Sequence, residues 1–195
     1  MIFKKLSMKN VFILLVIVLT SISCSDKAKI TEAIKKLQSQ PIVLPTDEMK
    51  IVRTRDSLFR DFSHAELKLV VYSDSSECTP YAINRMYEWE DIIALDTIYS
   101  GRIKFYFIFS PNYKDLRSIT RNLKAGVLFY PSFIDKLGFF LKNNPNIPKD
   151  RRLHSFLLDK KNNVILVGNP NKNESIKKIF IKEVKKKLNK NIDIL

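Results

Sequence analysis

Two apolar runs constrain the fold more than any other feature of this chain. LKLVVYS (residues 67–73) and IKFYFIFS (residues 103–110) are of strand length, rich in β-branched and aromatic residues, and lack the alternation of a half-wet strand. Such runs suit strands buried on both faces. Between them Ala82, Met86, Trp89 and Ile93 recur at spacings of four, three and four, which places them on one face of a helix. Strand, helix and strand in that order require a crossover, so the pattern predicts parallel neighbours in an α/β sheet.

The rest of the chain extends this alternation. Pro111-Asn112 marks a turn, and Tyr113 to Lys124 can form a second helix. GVLFYPSF (residues 126–133) is either a third short strand or an extended link, and Asp135 to Lys142 has helical character. Beyond a loop bounded by Pro145 and Pro148, LHSFLLD (153–159) and NVILVGN (163–169) flank the polar turn Lys160-Lys161-Asn162 and predict a β-hairpin. Asn171 with Glu174 three residues on resembles a capping box. It opens a last helix with Ile176, Ile179, Phe180, Val184 and Leu188 as its buried stripe. Ahead of all this, Ile30, Ala33, Ile34 and Leu37 predict a short tether helix within Ser25 to Gln40, broken by Pro41 and Pro45, with PIVLP extended. No internal repeat or second domain is visible. A chain with four glycines has little room for a phosphate-cradling loop.

The first residues carry a targeting pattern. Lys4, Lys5 and Lys9 precede an apolar run from Val11 to Ile22, and Ser21-Ile22-Ser23 leads into Cys24. That is the layout of a secretory signal, with Met8 an alternative start, and the run is too short for a membrane span of about 20 residues. Small residues before a cysteine resemble the lipobox of bacterial lipoproteins, in which the cysteine receives lipid, palmitate included; Ser21 stands where that pattern has Leu. The resemblance implies lipid attachment at Cys24 and a chain anchored to an inner or outer membrane of the cell envelope. A plain secreted protein is the alternative. The predicted divisions are a signal peptide (1–23), a tether and N-terminal extension (24–64), one α/β domain (65–190) and a C-terminal tail (191–195). The mature chain is long enough for a proper core and needs no disulfide framework.

Charge is unevenly spread along a chain of net charge +14. Residues 24–141 hold 17 basic and 15 acidic side chains, whereas residues 142–195 hold 14 and 5. The basic end either binds acidic surfaces such as membrane headgroups or is a solvated lysine-rich helix face. Nucleic acid is not an expected partner, because no aromatic and basic reader motif is present.

The order of strands and helices is that of thioredoxin, and two segments agree with it. SSECTPY follows the first core strand and opens a helix where that family holds CxxC, and LHSFLLDKKNNVILVGNP resembles the family's closing hairpin, which ends in Gly. The chain is similar to membrane-anchored thioredoxin-like lipoproteins. The resemblance implies a central mixed sheet flanked by helices, with Cys78 as nucleophile, Thr79, Pro80 and Tyr81 shaping the site, and His154 near it. It departs from the family twice. Tyr81 replaces the second cysteine, and His154 replaces the proline that precedes the hairpin strand in a cis bond.

A cysteine at a helix N-terminus faces unpaired N–H groups and the positive end of the helix dipole, which favour thiolate and predict a lowered pKa. Asp74 and Glu77 oppose this. With no resolving thiol, Cys78 can form a mixed disulfide with an envelope protein thiol or disulfide, or be oxidised or capped, but an outside thiol must release it. As an enzyme the chain would be a monothiol thiol-disulfide oxidoreductase. The alternative is a redox-inactive binding or accessory lipoprotein whose cysteine is simply packed. His64 and His154 lack metal-ligand spacing, so neither a metal nor another cofactor is expected. Asp135 and Asp159 have the positions of turn caps.

Overall fold

The computed structural model describes residues 26–53, 62, 64–125 and 130–188. Its centre is the pair of apolar runs, now strands β2 (Leu67–Ser73) and β3 (Ile103–Phe109), which lie parallel with Leu67 opposite Ile103 and Ser73 opposite Phe109. β4 (Ser132–Ile134) runs parallel to β3 on the far side. On the other flank β5 (Ser155–Leu158) is antiparallel to β2, and β6 (Val164–Val167) is antiparallel to β5, with an irregularity at Leu157/Leu158. These last two strands form the predicted hairpin. A further strand, β1 (Lys50–Val52), pairs antiparallel with β4 and completes the sheet order β1-β4-β3-β2-β5-β6.

Helices fill the connections: α1 (26–37), α2 (Pro80–Asn84), α3 (Glu90–Ile98), α4 (Leu116–Lys124), α5 (Phe139–Asn143) and α6 (Glu174–Leu188). One face of the sheet, through Leu69, Val71, Phe105 and Phe107, packs on side chains that include Ile83, Trp89, Leu95, Ile119, Phe180 and Val184. The opposite face, through Val70, Tyr72, Tyr106 and Ile108, packs on Leu37, Ile42, Met49 and Phe140. Every position of β3 is buried, so its lack of alternation reflects cover on both sides.

The helix predicted through Ala82, Met86, Trp89 and Ile93 is three pieces, α2, a 3-10 segment Met86–Trp89, and α3. The three-residue period of the middle piece rotates the apolar face. Ile83, Met86, Trp89, Ile92 and Leu95 are buried, while Ala82 and Ile93 are only half-buried. At the start of α6 the cap is Asn173, whose Oδ1 accepts from Ile176 N at 3.0 Å, and not Asn171, whose N–H donates to Asn169 Oδ1 at 2.8 Å. Phe180, Val184 and Leu188 form the buried stripe of that helix, but Ile179 is exposed. Asp135 and Asp159 cap turns as predicted: Asp135 accepts from Phe139 N and Phe140 N at 2.9 Å each, and Asp159 Oδ1 accepts from Lys161 N at 2.8 Å and Asn163 N at 2.9 Å.

The largest difference concerns the predicted tether. Within 24–64, Leu37, Ile42, Met49 and Val52 are buried in the core and β1 joins the sheet. After α1 the chain turns at Gln38 and Ser39, ahead of Pro41 and Pro45. The signal segment, Cys24 and the tail 191–195 lie outside the described residues, and among those residues no helix is long and apolar enough to cross a membrane.

Candidate functional site

β2, β3 and β4 are parallel, so the loops that follow them meet at one edge of the sheet, together with the start of β5. In open α/β sheets this carboxyl edge is where ligand crevices form. The loop after β2 is a compact turn organised by Asp74. Its Oδ1 accepts from Ser76 N at 2.8 Å and Glu77 N at 3.2 Å, and its carbonyl accepts from Cys78 N at 2.8 Å. Burial works against the Asp74 carboxylate, but bonds from Ser76 and Glu77 and the Arg151 guanidinium 3.8 Å away hold it below its ordinary pKa. On the neighbouring loop, Asn112 Nδ2 donates to Ser75 O at 3.2 Å.

This turn places Cys78 two residues before the helix, and Thr79 between them is the N-cap. Thr79 Oγ1 accepts from Ala82 N at 3.2 Å, and Pro80 occupies the first turn, where its missing N–H costs nothing. Cys78 therefore stands at the helix mouth, but the fold does not leave its thiol reachable from solvent. Cys78 is 1 % exposed and packed within the core cluster of the α2, α3 and α6 face. Burial, with the Asp115 and Asp74 carboxylates adding to it, pushes the thiol up to about 12. The expectation of a lowered pKa fails because desolvation and nearby negative charge outweigh five residues of helix dipole.

Of the other predicted site residues, Tyr81 lies in solvent and His154 packs against Tyr72. Tyr81 is 72 % exposed, with the Arg85 guanidinium 5.9 Å from its ring centre. It walls no groove over the sulfur. His154 precedes β5, in the position the resemblance assigns to a cis-proline, but among the described residues no peptide bond is cis. Its ring is buried 5.2 Å from that of Tyr72, in the region of the opposite face, and Nε2 donates to Pro148 O at 2.9 Å. Nδ1 has no hydrogen-bond partner. Tyr72 itself, buried and beside Ser110, Asp135, Asp74 and Cys78, is pushed up to about 12, chiefly by that burial.

Strand directions around this turn settle the architecture: a cysteine loop after β2, parallel β3 on one side of β2, and the antiparallel β5–β6 hairpin on the other. The fold is thioredoxin-like. The chain matches no protein-family model and no curated protein. Among solved structures it is similar to a thioredoxin-like protein from Bacteroides caccae, at 11% identity and a TM-score of 0.45 over 83% of this chain and 56% of that one, so it spans little more than half of that protein. It is also similar to the C-terminal domain of an uncharacterized protein from Bacteroides fragilis, at 17% identity and a TM-score of 0.43, covering 80% of this chain and 99% of that domain. A domain of a possible thiol-disulfide isomerase from Cytophaga hutchinsonii matches at 14% identity and a TM-score of 0.42, covering 76% and 99%. At these identities residue roles do not transfer.

Within the thioredoxin-like frame, sequence reasoning missed Asp115, which stands far along the chain yet faces the thiol. It also missed a buried charge pair. Lys104 Nζ lies 3.0 and 3.3 Å from the Asp96 oxygens, and the Tyr130 hydroxyl donates to Asp96 Oδ2 at 2.9 Å while accepting from Phe105 N at 3.2 Å. A lysine inside an apolar run was the available signal. Among the described residues no group of three His, Cys, Asp or Glu could hold a metal ion.

Proposed function

We propose that this chain is a redox-inactive binding or accessory module of the bacterial cell envelope, held to its membrane by lipid on Cys24 and retaining the thioredoxin scaffold without its chemistry. One observation carries the reading: the single thiol of the domain is sealed in the core with its pKa near 12. That burial disfavours the thiolate, the form of the sulfur that acts as nucleophile. Tyr81 cannot resolve a mixed disulfide, and no cis-proline stands ready to hold an extended substrate backbone.

The second reading is monothiol exchange with an envelope protein thiol or disulfide. It is favoured by the position of Cys78, in the turn that joins the first core strand to its helix.

Alkylation of the full chain across pH, read at the Cys78 peptide by mass spectrometry, separates the two. The scaffold reading expects Cys78 to be protected from labelling at pH 8 in the folded chain and to label readily in denaturant. Rapid labelling with an apparent pKa below 9.0, or a mixed disulfide through Cys78 trapped in cells, establishes the monothiol reading instead.

A further inference from the structure

Between α4 and the β1–β4 edge of the sheet lies an open cleft of about 780 Å³. Six of the side chains that line it are basic: Lys50, Lys114, Arg117, Arg121, Lys124 and Lys136. None is acidic. They come from three separate places, Lys50 at the head of β1, Lys136 just after β4, and the other four on α4 or the residues leading into it. Arg117, Arg121 and Lys124 follow one another at four and three residues, so successive turns of α4 present them along one face. All six are exposed, and among the described residues none forms an ion pair of 4 Å or less.

Like charges gathered around one concavity repel, and the low-dielectric wall of a cleft focuses their field outward. Among the described residues nothing acidic on the cleft wall relieves that repulsion. An anion does. Two arginine forks one turn apart are built for tetrahedral or planar oxyanions, which they grip with paired hydrogen bonds, while lysines add charge with little geometric demand. A phosphate concentrates up to about two negative charges and three acceptor oxygens in one group, so two of them approach the charge of this cleft on a compact body. The volume lies in the range of about 300–1,000 Å³ typical of small-molecule sites, and Tyr113, 91 % exposed at the rim, offers a face for a sugar or other flat moiety.

We propose that this cleft binds a ligand bearing two or more phosphate groups, supplied either as a soluble phosphorylated small molecule or as lipid headgroups of a membrane. The site is separate from the thiol and stands whether or not Cys78 exchanges disulfides.

Isothermal titration of the full chain with tripolyphosphate, at about 0.15 M salt where the Debye length is about 8 Å, tests it. Saturable binding of one tripolyphosphate per chain is expected, with inorganic phosphate binding more weakly. Paired substitutions Arg117→Gln/Arg121→Gln, and independently Lys50→Gln/Lys136→Gln on the facing wall, each weaken binding at least about tenfold. The equally charge-reducing pair Lys186→Gln/Lys187→Gln on α6 leaves it unchanged. Absence of saturable binding, or an equal loss from the α6 pair, overturns the proposal, because the second result is the general attraction of a basic protein. A parallel measurement with vesicles of phosphatidylcholine, with and without phosphatidylglycerol, distinguishes the source. A gain from the anionic lipid that Arg117→Gln/Arg121→Gln abolishes identifies headgroups, and tripolyphosphate binding without that gain identifies a soluble ligand.

Discussion

Lys104 and Cys78 are both buried, and burial bears on each in a different way. Lys104, 5 % exposed, is accommodated inside the protein by the carboxylate of Asp96, itself 1 % exposed, and the Tyr130 hydroxyl donates to Asp96 Oδ2 as well. Such a pair is costly to break from one side, since the surviving charge is stranded away from water. Lys104→Met is therefore expected to destabilise the fold by about 3–5 kcal/mol in urea unfolding, and replacing both partners, as Lys104→Met with Asp96→Leu, to recover much of that loss. Cys78 shows the reverse case. Its neutral form is at home in the core, and only its charged form is penalised. Its place before a helix was legible from Thr79-Pro80 and the apolar run ahead of them. The burial of its side chain was not, because that depends on how the Asp74 turn closes against the core, and the charge of Asp115 that acts on it comes from another loop.

Among the elements, β2, β3 and the hairpin were readable because their patterns are local: unbroken apolar runs for buried strands, and a polar turn between two such runs. β1 and β4 have three residues each, too few for periodicity to register, and exist because each completes the other's hydrogen bonds. α5 is a further case. It is five residues long, too short to stand alone, and is held by Asp135, which is fully buried and satisfies its first two N–H groups with both carboxylate oxygens. Asp135→Ala leaves those donors unpaired at a buried helix start, and is expected to cost about 1–3 kcal/mol in chemical denaturation, with Asp135→Asn recovering part of it. The same reasoning explains Gly168, where the hairpin leaves the sheet. Its φ of +131° and the Ile176 side chain 3.0 Å from where a Cβ would sit leave room for glycine alone.

At the scale of the whole molecule, the N-terminal segment is part of the domain. Leu37 is fully buried, and the Asn146 side chain donates to its carbonyl at 3.0 Å across 109 residues of chain. Asn144 makes a similar bridge, accepting from Val43 N and donating to Val43 O at 2.8 Å each. Leu37→Ala is expected to lower stability by about 2–5 kcal/mol, as for a core leucine; a tether would show no measurable change. The sequence alone determined the alternation of strands and helices, the direction of β2 against β3, the closing hairpin and the absence of a second thiol in the domain, because each rests on a local pattern or on the residue type itself. Tertiary structure decided the rest. It buried the cysteine that chain position had marked as reactive, and it drew six cations into one cleft, all from the stretch 24–141 whose charge count along the chain is nearly balanced, Lys50 among them from the segment read as a tether. Burial and electrostatic fields are sums over neighbours in space, and chain order does not contain them until the sheet has formed.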